Sequence, residues 1–279
     1  MIDALIFDSG VGGLSVSAEI RRRMPWLPLG YVCDNAALPY GTKDDAWLVA
    51  RIVAVCESAC RQARPRALVI ACNTASTLAL EALRARLSIP VIGTVPAIKP
   101  AAETTRSRTI GLLATRATVR RPYLDRLIED HARGCRVIRV AADALVIEAE
   151  RLLKGQAVDP ARVREAIAPL RAAEEIDAVV LGCTHFPLLH DYLEPLLPSG
   201  VHWIDSGAAI ARRLESVLWG APAPAAAAEA EERATRSPDA RSWATAASAP
   251  GLASALMRFG YAPPAMLEIA SPAVAVHVS

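Results

Sequence analysis

Residues 67–74 read Ala-Leu-Val-Ile-Ala-Cys-Asn-Thr, and residues 178–185 read Ala-Val-Val-Leu-Gly-Cys-Thr-His. Each stretch is a run of β-branched and aliphatic residues too short for a helix, closed by a cysteine and a helix-capping polar residue. Cys72 and Cys183 stand 111 positions apart (183 − 72). Two thiols at equivalent strand ends imply paired chemistry. One catalytic thiol needs one such site; moving a proton from one face of a carbon to the other needs two, facing each other.

The rest of the chain repeats the same rhythm. Apolar runs at 4–7, 29–33, 67–71, 91–93, 109–113, 136–140, 178–182 and 201–204 alternate with amphipathic segments near 13–24, 43–63, 75–87, 117–132, 143–154, 160–174, 187–197 and 207–219. Strands alternating with helix-length segments predict an α/β fold with mainly parallel sheets flanked by helices, and ligands at the carboxyl ends of the strands. Ala4-Leu-Ile-Phe-Asp8 opens one unit and Thr109-Ile-Gly-Leu-Leu-Ala114 a comparable second one. The expected division is 1–95 plus 205–279 for the first domain and 96–204 for the second, with the site at their interface. The crossover falls at 94–100, where two prolines interrupt helix formation. Beyond it, the Ala-Pro run at 221–228 reads as a linker, 241–248 as an added edge strand and 252–259 as a helix.

Composition narrows the function classes. Of the 279 residues 53% are hydrophobic but only 5% aromatic, so the cores are aliphatic, as suits buried parallel strands. A net charge of +2, with the basic residues scattered, gives no nucleic-acid footprint. There is no leader-like start and no uninterrupted apolar stretch long enough to span a bilayer, so the expected compartment is the cytoplasm. The six cysteines lack the C-x-x-C spacing of a metal or redox pair, and neither disulfides nor a metal is expected.

At a strand-to-helix junction the Cys72 thiol feels the positive end of the next helix, which predicts an easier thiolate, while Asn73 and Thr74 cap that helix and offer donors to a carboxylate. His185, two residues past Cys183, is placed to exchange a proton with it. Asp8-Ser9-Gly10-Val11-Gly12-Gly13 is a strand end followed by a glycine turn. It fails the dinucleotide spacing, although Asp34 downstream is of the right type, and reads better as a tight anion-holding turn with Asp8 pointing into the crevice of Cys72.

These blocks, together with Pro39-Tyr40-Gly41, Lys43 and Gly182-Cys183-Thr184-His185-Phe186-Pro187-Leu188, resemble the cofactor-independent glutamate racemases. The likeness covers most of 1–220, with the blocks in family order. It implies two domains related by a pseudo-twofold, one substrate pocket between them, no cofactor, glutamate as substrate in peptidoglycan synthesis, and a homodimer. By resemblance Cys72 and Cys183 are the acid/base pair, Asp8 assists Cys72, His185 assists Cys183, and Glu150 is the further acidic residue. Ser9, Tyr40, Gly41, Asn73, Thr74 and Thr184 would hold the amino and carboxylate groups, with Thr115 and Thr118 as weaker candidates. Where the family usually has Cys-Pro, this chain has Ala142-Asp143. Some relatives carry an N-terminal extension used in activation by a cell-wall precursor; with seven residues before Asp8, that regulation is not expected. The rivals are aspartate or hydantoin racemisation, which shares both cysteines; a Cys183/His185 hydrolase, which leaves Cys72 without a task; and a non-catalytic regulatory binding protein on the same scaffold.

Overall fold

The computed structural model describes residues 2–173, 175–220, 240–247 and 251–269. Among these residues ten strands form two sheets in which every pairing is parallel. The first contains β1 (Ala4–Asp8), β2 (Leu29–Cys33), β3 (Ala67–Ile70) and β4 (Val91–Ile92). The second contains β5 (Thr109–Ala114), β6 (Arg136–Ala141), β7 (Ala178–Leu181) and β8 (His202–Ile204). The short strands β9 (Ser242–Ala244) and β10 (Ala265–Met266) extend the first sheet, whose order is β10-β9-β2-β1-β3-β4; the second runs β6-β5-β7-β8. Remove the two late strands and the orders are the same, each sheet placing its first strand between its second and its third, with the fourth outside the third. The repetition in sequence is therefore a repetition in topology, and Cys72 and Cys183 follow equivalent strands.

The strands are apolar throughout because both faces of each sheet are covered. In β1, Ala4 and Ile6 pack toward the helices Leu14–Arg23 and Gly207–Trp219, while Leu5 and Phe7 pack toward Asp45–Ala63 and Asn73–Arg86. In the second sheet Leu113, Val179 and Leu181 meet the helix Asp143–Leu153, and Ile110, Leu112 and Val180 meet Ile98–Thr104 and Pro122–His131. After β4 the chain crosses to the second sheet; after β8 it returns to pack Gly207–Trp219 on the first.

Prolines account for most departures from the expected helices. The segment 117–132 splits into Arg116–Val119 and Pro122–His131, and 160–174 into Pro160–Ala166 and Ala168–Arg171. The expected helix at 187–197 is a 3₁₀ turn, Phe186–Leu189, a single helical turn, His190–Leu193, and a second 3₁₀ turn, Glu194–Leu196, with Pro187 and Pro195 at the starts of the two 3₁₀ turns. Pro100, in contrast, does not stop helix formation: it sits in the first turn of Ile98–Thr104, where its missing N–H has no partner to lose. The late strand β9 is interior to the sheet, not an edge, since β2 and β10 flank it. A helix follows at Leu252–Arg258. The linker expected at 221–228 lies outside the described residues.

Candidate active site

Cys72 closes β3 and is itself the N-cap of Asn73–Arg86, so Asn73 and Thr74 occupy the first helical positions rather than the capping one. Its Sγ lies 3.7 Å from Ser9 Oγ. Burial pushes the thiol up to about 12, aided by the nearby Asp8 charge; the Ala75 amide and Ser9 act in the opposite direction and lose. The easier thiolate expected from the helix N-terminus is thus not what the pocket provides, because desolvation of a buried sulfur outweighs one helix end.

Cys183 follows β7 through Gly182, whose amide donates to Leu113 O at 2.7 Å. A Cβ on Gly182 would come within 3.0 Å of that carbonyl, so a glycine is needed for β5 and β7 to approach so closely. Cys183 Sγ lies 3.8 Å from His185 Nδ1. On its other side the ring meets Glu150, with Nε2 2.9 Å from Oε1. The helix Asp143–Leu153 delivers this carboxylate, where Oε1 also accepts from Val11 N at 3.0 Å and Oε2 faces Lys154 Nζ at 2.9 Å. Burial acts to raise the Glu150 carboxyl, but His185, Val11 and Lys154 outweigh it and bring it to about 2. His185 is held well above the ordinary imidazole range: burial opposes the charge, and Cys183 and Glu150 together override burial.

Asp8 ends β1, fully buried. Its Oδ1 accepts from Gly10 N at 2.8 Å and its Oδ2 from Thr184 Oγ1 at 3.0 Å. Asp8 therefore bonds across to the segment that carries Cys183, and the hydroxyl nearest Cys72 is that of Ser9. The glycine turn does hold anions, as expected, but they are the protein's own carboxylates: Asp8 on Gly10 N and Glu150 on Val11 N. At Gly10 and Gly12 a glycine is needed because the second half comes so close. A Cβ on Gly12 would lie 2.4 Å from His185 Nδ1 and 2.5 Å from Thr184 Oγ1; one on Gly10 would lie 2.4 Å from Glu150 Oε1.

Both cysteines open onto one cavity of about 280 Å³. Ser9, Tyr40, Gly41, Asn73, Thr74, Thr115, Thr118, Thr184 and His185 line it as well, whereas Asp8 and Glu150 stand behind the lining. Asn73 Oδ1 is buried without a hydrogen-bond partner among the described residues. Thr115 caps Arg116–Val119 by accepting from Thr118 N, and the two hydroxyls are 3.1 Å apart. Tyr40 does not turn its hydroxyl to the cavity; it donates to Asp34 Oδ2 at 2.7 Å, leaving ring and backbone as the wall. Among the described lining residues there is no lysine or arginine, so an anionic ligand must be held by N–H and O–H donors.

The sequence did not point to Leu38, Thr42, Asp143, Val146 or Ile147, which also line the cavity. Asp143 starts its helix and accepts from Arg116 N at 3.0 Å, fixing the turn that carries Thr115 and Thr118. The one available signal was the replacement of Cys-Pro by Ala142-Asp143. The apolar Val146 and Ile147 lie on the helix that carries Glu150, in no motif of their own.

The family model described as Asp/Glu/Hydantoin racemase matches residues 15–214. A glutamate racemase of Sodalis glossinidius (strain morsitans) is 50% identical over 210 residues, covering 75% of this chain and 72% of that protein. One of Salmonella typhimurium is 52% identical over 216 residues, covering 77% and 76%. Among solved structures, Escherichia coli glutamate racemase in complex with L-glutamate and the activator UDP-MurNAc-Ala has a TM-score of 0.87 at 40% identity, covering 97% of this chain and 100% of that one. A glutamate racemase isoform of Bacillus anthracis has a TM-score of 0.76 at 29% identity, covering 97% of each chain. No helix among the described residues is long and apolar enough to cross a membrane. With its repeated sheets, paired strand-end cysteines and a match over 15–214, the chain belongs to the Asp/Glu/hydantoin racemase family.

Proposed function

We propose that the chain interconverts L- and D-glutamate without a cofactor, using Cys72 and Cys183 as the two bases, and so supplies D-glutamate for peptidoglycan. What carries this reading is that two cysteines from equivalent strands of two like sheets open onto the same cavity, each with a different neighbour. The glutamate complex of the Escherichia coli relative supports the choice of substrate.

In either direction one cysteine, as thiolate, takes the proton from Cα. The electron pair delocalises into the α-carboxylate, and the other cysteine's S–H gives a proton to the opposite face. The carbanion-like state is costly, and in a cavity lined without cations its charge must be met by oriented donors: the Thr74 hydroxyl and the first-turn amides after Cys72. Asn73 Oδ1, an acceptor without a hydrogen-bond partner among the described residues, suits the substrate ammonium. His185, charged and backed by Glu150, faces the Cys183 sulfur and can return a proton to its thiolate form. Cys72 has no such relay, and with its thiol at about 12 the bound substrate's ammonium must help ionise it. The cytoplasm and a homodimer complete the reading.

The test is to incubate the purified chain, with no added cofactor, with L-glutamate in D₂O. We expect the circular dichroism to decay to zero while deuterium enters Cα. Retention of the optical signal with no exchange would overturn the reading. Racemisation of aspartate or a hydantoin in preference to glutamate would transfer it to the sister activities.

A further inference from the structure

Asp34, the residue after β2, is completely buried, and its carboxylate accepts several hydrogen bonds close to the cavity. Its Oδ1 accepts from Arg51 Nη2 at 2.6 Å and from Thr245 Oγ1 at 2.7 Å; its Oδ2 accepts from Tyr40 Oη at 2.7 Å and from Arg51 Nε at 3.1 Å. These donors come from three places: the cavity wall, the long helix Asp45–Ala63, and the chain just after β9. None of the carboxylate's bonds goes to the cavity itself.

Tyr40 begins the 3₁₀ turn Tyr40–Thr42, and Tyr40, Gly41 and Thr42 all line the cavity. Its phenol ties this turn inward by a side-chain hydrogen bond. Thr245 is itself fixed, since its amide donates to Cys33 O at 3.1 Å and to Asn35 Oδ1 at 3.0 Å. A segment some 200 residues away in sequence, past the end of the family match at 214, thus reaches the cavity wall through one shared carboxylate. We propose that Asp34 is a positioning residue which sets the cavity wall through the Tyr40 phenol, and that Thr245 of the C-terminal segment belongs to the same device.

This rests on the racemase reading for its substrate but not for its geometry. Asp34 touches no reacting atom, so the expected effect is on substrate fit. Asp34→Asn is not a safe sole test, because it leaves Arg51 without its charge partner and can fail to fold. Tyr40→Phe and Thr245→Val each remove a single hydroxyl and keep the side chain's bulk. Losing a hydrogen bond to a charged acceptor predicts a rise in KM for glutamate of about tenfold for Tyr40→Phe and a smaller one for Thr245→Val. Thr245→Ser should restore the wild-type KM, and kcat should change little in all of them. Because both hydroxyls act through one carboxylate, the double variant should fall short of the product of the single effects.

Two assays are run together: steady-state kinetics, and the rate at which iodoacetamide alkylates Cys72 in the substrate-free protein, read by mass spectrometry. A loosened wall predicts faster alkylation in Tyr40→Phe and Thr245→Val and the wild-type rate in Thr245→Ser. If wild type does not racemise glutamate, the functional reading fails and the alkylation rates alone decide the positioning role. If wild type is active and the Val variant keeps both its KM and its alkylation rate, or changes only its melting temperature, the proposal is overturned. Independent, multiplicative effects of the two substitutions on KM would overturn it as well.

Discussion

His185 Nε2 lies 2.9 Å from Glu150 Oε1, and both groups are buried. The contact joins a helix of the second half to the loop after β7, and Val11 N of the first half donates to the same oxygen. It makes the two cysteines unlike. Cys183 has a charged ring and a carboxylate in line behind it, while Cys72 faces a serine hydroxyl, the start of its own helix and the Asp8 charge, with no imidazole hydrogen-bonded to it among the described residues. The two like sheets thus present unlike neighbours to one cavity, and under the proposed reading this asymmetry suits a site that receives two mirror-image substrates.

Replacing Glu150 by Gln keeps the volume but removes the carboxylate that, together with Cys183, holds His185 protonated. General acid–base groups contribute on the order of 10²-fold or more, so kcat for glutamate should fall by about 10²-fold in Glu150→Gln. Since the relay serves Cys183 alone, the loss should differ between the two directions of racemisation. Progress curves started from each enantiomer, under conditions that separate the half-reactions, will show it. Equal slowing of α-proton exchange from L- and D-glutamate would count against the pairing.

Glu150 also makes a prediction about stability. Its carboxyl is lowered from 4.5 to about 2, so the native state binds fewer protons there than the unfolded chain does. The stabilisation is present above pH 4.5 and is lost as pH falls toward 2. A shift of this size corresponds to about 3 kcal/mol. Asp8, raised by burial, works with the opposite sign and gains on acidification, so the wild-type curve alone mixes the two. The difference between wild type and Glu150→Gln isolates the first. Denaturant unfolding should show a clear gap between them at about pH 5.5 that narrows by about pH 3. A gap that widens on acidification would contradict the assignment.

The apolar runs made the sheets legible, because a strand buried on both faces has no polar alternation to hide it. All eight expected strands form, and the paired cysteines mark their own equivalence. Helices were read less well wherever a proline restarted the chain, as at Pro122 and Pro187. The site was legible where chemistry and motif coincide. It was illegible where position alone puts an ordinary residue at the wall: Asp143, Val146 and Ile147 have no local signature. The direction of a side chain was the hardest thing to read. Tyr40 lines the cavity, but its hydroxyl turns to Asp34, and Asp8 accepts from Thr184 across 176 residues while its charge also acts on Cys72.

The two thiols can be separated from the fold. Cys72→Ser and Cys183→Ser should each abolish racemisation while leaving melting temperature and circular-dichroism spectrum near wild type, because serine is nearly isosteric and both sites are pocket walls. A variant that still racemises at a near-normal rate would sink the two-base scheme. In wild type without substrate, Cys72 at about 12 is almost wholly thiol near neutrality. Its alkylation rate should therefore climb with pH without levelling below about pH 10. A plateau near pH 7 would show that the resting pocket does hold a thiolate.

The close approach of the halves yields the sharpest steric test. A methyl at position 12 would overlap His185 Nδ1 at 2.4 Å and Thr184 Oγ1 at 2.5 Å, and neither can retreat freely. The ring is held from behind by Glu150, and Thr184 is held by its bond to Asp8 while Ser15 Oγ donates to its carbonyl at 2.8 Å. Overpacking of this kind costs about 1–3 kcal/mol. More telling than the stability loss, the ring must move relative to the Cys183 sulfur, so Gly12→Ala should cost more activity than its lowered melting temperature explains. Assayed well below its own melting point, the variant should still show kcat reduced by about tenfold or more. Full activity in a folded Gly12→Ala protein would mean that the turn does not set the position of His185, and that its glycines serve the backbone alone.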